Sequence, residues 1–166
     1  CNMEFKLGPH NSLVEQSTPW DFASDIGAKD LEKQMCSFMI EAKGIGLAAN
    51  QLGLTKQVFV MGSYSIAGFP EPFALFNPKI LEASKEEVLD EEGCLSYPGL
   101  FLKVKRPSWI IVEYQNSNGD TIEAKFDGYL AKCFQHELDH LNGICFVDKV
   151  GQVKLKLAMK KLRKNK

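Results

Sequence analysis

No stretch of the 166 residues approaches the roughly 20 consecutive apolar residues that a membrane-spanning helix requires, which excludes an α-helical membrane protein. No basic start is followed by an apolar stretch, so no signal peptide is expected. There is no Asn-x-Ser/Thr sequon and no Cys-x-x-Cys pair. The five cysteines, at positions 1, 36, 94, 133 and 145, are odd in number and widely spaced. A disulfide framework is therefore not expected, and a reducing cytoplasm fits best. Internal repeats, linkers and low-complexity tracts are missing too, so residues 1–166 read as one domain. Histidine is scarce, with three residues, which gives weight to a motif that uses two of them.

What remains is an ordinary globular composition: 45% hydrophobic and 25% charged residues argue for a core that a chain of this length can bury. The charge is unevenly spread. Residues 1–148 hold 12 Lys and Arg against 21 Asp and Glu, a net of −9, whereas residues 149–166 hold 8 basic residues and no acid. The body is acidic and the tail is a separate basic patch.

Residues 1–19 are polar, with Pro9 and Pro19 as breakers, and read as irregular. Between about Asp25 and Lys43, Leu31, Met35, Phe38 and Met39 recur at helical spacing, with Gly44 as the stop. Gln57 to Met61 and Phe73 to Phe76 are rich in strand formers, and Ile80 to Asp90 reads as an exposed strand. Trp109 to Tyr114 and Thr121 to Phe126 flank Asn116-Ser117-Asn118-Gly119-Asp120, a hairpin signal. Asp127 or Gly128 then caps a second helix through Leu141, ended by Asn142-Gly143, and Gln152 to Lys164 reads as a short basic helix. Strands first and a helix after, without regular βαβ alternation, predict an α+β fold.

The second helix carries His136-Glu137-Leu138-Asp139-His140, an HExxH motif. At about 100° per residue its two imidazoles sit about 40° apart around the axis and one turn along it. Both can reach one metal ion, with Glu137 beside them toward a water on the metal. The plainer reading is a solvated polar face, but the Glu stands at the catalytic offset. Such a site needs a third protein ligand. After Gly143 there is no His and only one acid, Asp148, so the ligand comes from upstream, where Cys94 in Glu92-Gly93-Cys94-Leu95-Ser96 is the best candidate. Its alternative is a buried structural thiol, the role expected of Cys36, Cys133 and Cys145. In residues 44–51, two glycines and two alanines leave backbone uncovered for another chain or a ligand. Taken alone, that stretch reads as a Gly-rich helix stop.

In order, GIGLAANQ (44–51), EGCLSYPG (92–99) and QHELDHLNG (135–143) resemble the three signature segments of the peptide deformylases. The likeness covers residues 44–148; the first 40 residues match poorly, with only Pro9 and Leu13 in keeping with the usual start. The divergent start and short end suit a phage-encoded or divergent bacterial member. The resemblance implies antiparallel sheets around a central helix bearing HExxH. It implies a metal-dependent hydrolase that removes the formyl group from the N-terminal formyl-methionine of nascent peptides. Cys94, His136 and His140 are implied as metal ligands, Glu137 as the catalytic carboxylate, and the Gln51 side chain and Leu95 backbone N–H as oxyanion donors. Ile45, Gly46 and Gly93 match positions that bind the substrate backbone, and Tyr129 and Cys133 match positions lining the pocket for the first side chain. At Lys132 relatives carry either an apolar or a basic residue. Glu92, paired with Arg106, is implied as the carboxylate behind a ligating histidine, although Arg106 by itself reads equally as a surface charge. Fe²⁺ is implied as the physiological ion, with Zn²⁺ or Ni²⁺ in preparations; ligand type alone does not choose among them. A cytoplasmic monomer acting on nascent chains is expected.

In the tail, Leu155, Met159 and Leu162 form one apolar stripe among Lys154, Lys156, Lys160, Lys161, Arg163, Lys164 and Lys166. The stripe predicts packing on the body, while the cations suit docking on ribosomal RNA. If docking is their only role, a cut after Asp148 leaves hydrolysis of a short formyl peptide nearly intact. Two rival functions stand against the resemblance. An HExxH endopeptidase is disfavoured by a cysteine in place of the expected third ligand. A non-catalytic metal-binding module is disfavoured because Gln51, Cys94, Glu137 and both histidines are all present.

Overall fold

The computed structural model of the protein describes residues 11–164. Pro9, Cys1 and Lys166 lie outside them. The chain runs α1 (Asn11–Val14), α2 (Ala28–Glu41), β1 (Gly46–Ala48), a 3₁₀ turn (Ala49–Leu52), β2 (Val58–Met61), β3 (Phe73–Ala83), β4 (Glu87–Cys94) and β5 (Tyr97–Pro107). It continues with β6 (Trp109–Gln115), β7 (Thr121–Asp127), α3 (Gly128–Leu141), a second 3₁₀ turn (Phe146–Lys149) and α4 (Gln152–Lys164). Five strands form an antiparallel sheet in the order β1-β2-β3-β6-β7, and β4 and β5 pair separately. This is the α+β arrangement that the element pattern predicts.

Strand β2 shows how the sheet sits between helices. Val58 and Val60 join a core with Leu31, Met35 and Met39 of α2, whereas Phe59 and Met61 join one with Phe134 and Leu141 of α3. Successive side chains point to opposite faces, and both faces are covered, so all four are fully buried and read as a continuous apolar run. Each such side chain contributes about 1.5–3 kcal/mol of burial free energy. The β6–β7 hairpin closes as its turn residues demand: Asn116 Oδ1 accepts from the N–H groups of Asn118 and Asp120 at 3.0 Å each.

Several elements depart from the sequence reading. Residues 1–19 are not wholly irregular, since Asn11–Val14 is helical. At the end of α2 the left-handed residue is Lys43 (φ 59), not Gly44. Residues 46–52 form an edge strand and a 3₁₀ turn, not a helix stop. The segment Ile80 to Asp90 is not one strand: it is the end of β3 and the start of β4, divided where Ser84 Oγ donates to Glu86 O at 2.7 Å and accepts from the Ser108 N–H at 2.8 Å. Asp127 precedes α3 with extended backbone but makes no side-chain cap.

The β4–β5 hairpin has two distinct faces. Glu92 and Leu102 pair across it and point inward, where Leu100, Leu102, Val104 and Phe146 form a third core. Leu155, Met159 and Leu162 of α4 pack on that core while the intervening cations stay exposed. The apolar stripe therefore covers the body.

Candidate active site

α3 runs against β1, β2 and β7 on one side and β5 on the other, which places its polar positions between the two sheets. Helical spacing brings the His136 and His140 rings to 5.0 Å between centroids. Cys94, at the end of β4, sets its Sγ 3.3 Å from His140 Nε2. One ligand atom from each of these three residues lies within 4.8 Å of the others, and among the described residues no other such trio of His, Cys, Asp or Glu comes together. Tetrahedral ligands bonded at about 2.0–2.3 Å stand about 3.5 Å apart, so this spacing fits a single ion. Burial, reinforced by the charges of His136 and Arg106, holds His140 well below its ordinary 6.5, in the neutral form a ligand needs.

Behind His136 stands a buried ionic chain. Glu92 Oε1 is 2.8 Å from His136 Nδ1, which turns Nε2 toward Cys94 and His140. Arg106 donates to Glu92 through Nε at 2.5 Å and Nη2 at 2.9 Å, and to Asp139 Oδ2 through Nη1 at 2.7 Å. Burial alone would raise the Glu92 carboxyl, but the hydrogen bonds and charges of His136 and Arg106 outweigh it and hold the group below its ordinary value. Arg106 is only 6% exposed, so it is no surface charge.

Glu137 lies alongside the trio, 2% exposed, with Oε1 3.9 Å from His136 Nε2. Its Oε2 has no hydrogen-bond partner among the described residues. Burial pushes its carboxyl up to about 7, Glu92 adding to the rise and His136 and Arg106 opposing it. Across the cavity, Gln51 Oε1 accepts from the Ala48 N–H at 2.9 Å, which turns the amide Nε2 toward Ser96 Oγ at 3.1 Å and Cys94 Sγ at 3.5 Å. Edge strand β1 approaches α3 so closely that a Cβ on Gly46 would stand 2.7 Å from Cys133 Sγ and 3.1 Å from Glu137 Cδ. Only glycine lets this bare edge lie beside the carboxylate.

A cavity of about 540 Å³ opens onto this group. It is lined by Ile45, Gly46, Gly93, Leu95, Tyr129 and Cys133, together with Gln51, Cys94, His136 and Glu137; His140 lies behind them, fully buried. Every site residue read from the sequence is thus gathered in one place. Lys132 reaches the same wall, where its Nζ meets Asp90 Oδ2 at 3.2 Å and Glu91 O at 3.0 Å. Sequence reading missed Ser96, which orients Gln51, and Asn50, whose Nδ2 donates to the His140 carbonyl. It also missed Asp139 as the second anion on Arg106. Asp139 sits inside HExxH, and its charge was the available signal.

Two imidazoles and a thiol gathered beside a buried carboxylate define a metal-dependent hydrolase, and the sequence relatives say of which kind. The profile of the polypeptide deformylase family matches residues 3–156, and the chain belongs to that family. It is 40% identical over 168 aligned residues to the peptide deformylase of Wolbachia pipientis wMel, covering 96% of this chain and 93% of the relative. It is 42% identical over 140 residues to peptide deformylase 2 of Prochlorococcus marinus strain MIT 9313, covering 84% and 70%. Among solved structures, a peptide deformylase from Synechococcus elongatus in complex with actinonin superposes with a TM-score of 0.88 at 37% identity, over 96% of this chain and 86% of the other. The Legionella pneumophila enzyme gives 0.88 at 32% identity, over 99% and 95%. The chain is accordingly an enzyme that removes the N-terminal formyl group from nascent peptides, in a metal-dependent hydrolysis.

Proposed function

We propose that Cys94, His136 and His140 hold one divalent ion and that Glu137 carries the proton of the reaction. A bound ion supplies Lewis acidity to the formyl carbonyl and lowers the pKa of the attacking water. Glu137 takes that water's proton and returns it to the departing amine nitrogen, a role suited to a carboxyl poised near neutrality. The Gln51 amide and the Leu95 N–H face the formyl oxygen as it gains charge; one such donor is worth about 3 kcal/mol. The peptide lies extended against the free edge of β1 at Ile45 and Gly46 and against Gly93, and its first side chain enters the cavity beside Tyr129 and Cys133.

The ion is Fe²⁺ in the cell, with Zn²⁺ or Ni²⁺ replacing it in preparations. The protein works as a cytoplasmic monomer, with residues 1–166 as one catalytic unit. Among the described residues no helix is long and apolar enough to cross a membrane. The exposed cations of α4 offer a surface for ribosomal RNA. The observation that carries the reading is the convergence of Cys94, His136 and His140 next to a buried Glu137 oxygen that no described residue engages.

The test is turnover of formyl-Met-Ala under anaerobic conditions with Fe²⁺ and with Zn²⁺, beside an unformylated peptide. Formate release with Fe²⁺ exceeding that with Zn²⁺, and no internal cleavage, is the expected result. Cleavage of internal peptide bonds would instead make the chain an endopeptidase.

A further inference from the structure

The 3₁₀ turn Ala49–Leu52 stands between the two bodies that carry the proposed ligands, and it is tied to both. Gln51 faces the β4–β5 hairpin, with its Nε2 3.1 Å from Ser96 Oγ and 3.5 Å from Cys94 Sγ. Asn50, the residue before it, is fully buried and faces α3, where its Nδ2 donates to the main-chain carbonyl of His140, 90 residues further on. A 3₁₀ helix has about three residues per turn, so neighbouring side chains diverge by about 120° and one short turn reaches both partners. The His140 carbonyl lies at the end of α3, where the last carbonyls of a helix lack an acceptor's usual donor four residues on. It receives the Gly143 N–H at 3.0 Å, a bond within the helix end itself. The Asn50 amide instead ties that carbonyl to another part of the molecule.

A donor to the formyl oxygen works only if its amide keeps a fixed place relative to the ion that polarises the same oxygen. The bonds of the Gln51 side chain run to Ala48, Ser96 and Cys94, on β1 and the hairpin. The Asn50 bond joins the same turn to a proposed ligand on α3. We propose that Asn50 is a positioning residue: through the His140 carbonyl it sets the distance between the Gln51 amide and the ion, and it acts on the reaction through Gln51. The proposal rests on the reading of Gln51 as an oxyanion donor given above. A misplacement of about 1 Å can cost up to about 100-fold in rate, so a single buried bond is enough to matter. The role needs an N–H on a short stem, and a side chain of similar size without one does not fill it.

The test measures kcat, KM, Tm and bound metal on formyl-Met-Ala for the metal-loaded wild type, Asn50→Leu, Asn50→Asp, Gln51→Ala, and each Asn50 substitution combined with Gln51→Ala. Leucine and aspartate are close to asparagine in size and neither brings an N–H, so either variant that folds serves. Gln51→Ala is expected to lower kcat by about 100-fold, as removal of an oxyanion donor does. The Asn50 variants should lose about tenfold in kcat, as a displaced donor would give, with KM within about twofold and metal at the wild-type level. The combined variants should be no slower than Gln51→Ala alone, because residues that act through one another are not additive. A lower Tm with wild-type kcat in the Asn50 variants would overturn the proposal and leave the amide as a brace for the end of α3. Losses that multiply in the combined variants would overturn it too, since Asn50 would then act apart from Gln51. Metal lost from the Asn50 variants would do the same, placing the effect on the ligand. Wild-type kcat in Gln51→Ala would instead remove the oxyanion reading of Gln51 itself, and the role of Asn50 with it.

Discussion

At Glu137, burial sets both the protonation and the freedom of the carboxylate. With its pKa pushed up to about 7 and Oε2 unengaged among the described residues, it can take and return a proton near neutral pH. Glu137→Gln keeps the size and the neighbouring ligands but cannot accept a proton. Metal content should be unchanged while turnover of formyl-Met-Ala falls by about 100-fold or more. A residual rate above about a tenth of wild type would move the proton transfer elsewhere. Burial sorts the cysteines in a similar way, raising Cys36 to about 11 and Cys145 to about 12, so both remain packed thiols. Cys94→Ser should lower bound metal in the purified protein, whereas Cys36→Ser should leave it at the wild-type level. Equal metal in the two variants would place the third ligand at another residue.

At the scale of elements, α4 ties the tail to the active-site wall. Its stripe covers Leu100, Leu102 and Val104, and Phe146 in the same core packs against Tyr97 at 5.8 Å and His136 at 5.7 Å between ring centroids. A cut after Asp148 removes no motif residue, yet it exposes this core. The truncated protein should melt lower by roughly 5–10 °C, from the apolar area uncovered, and its peptide activity should fall along with stability. Docking is tested separately by replacing Lys156, Lys160 and Lys161, all on the exposed side, with Gln. That variant should keep the wild-type Tm while its low-salt binding to ribosomes drops steeply. Unchanged binding in the charge variant would leave α4 as a structural helix alone.

Across the whole molecule, the proposed ligands come from two separate sheets' surroundings. Cys94 ends the two-stranded hairpin, and the histidines ride on α3 against the five-stranded sheet. A shared ion would bind the native arrangement and not the unfolded chain. An ion present at 100 times its Kd contributes about 2.7 kcal/mol. Chelation should therefore lower Tm by roughly 5–10 °C, and re-addition of Fe²⁺ or Zn²⁺ should restore it. Metal loss without a change in Tm would show that hairpin and helix hold their positions unaided.

Local chemistry was enough for the sequence to determine the HExxH face of α3, the apolar runs of α2 and β2, and the Asn116–Asp120 turn. Each depends on helix pitch, strand period or side-chain bonds within a few residues. The order of the three short motifs also resembles that of the family to which the chain belongs. Tertiary structure decided the rest. Arg106 reads as a surface charge until Glu92, 14 residues away, and Asp139, 33 residues away, enclose it. Strand β5 is absent from the sequence reading: Leu100, Leu102 and Val104 alternate with Phe101, Lys103 and Lys105, but Pro98 and Gly99 obscure its start. The exposure of Phe101 and the burial of the tail's stripe follow from which face of that hairpin α3 and α4 cover. Local sequence carries no record of such meetings, because they are settled by surfaces brought together from distant parts of the chain.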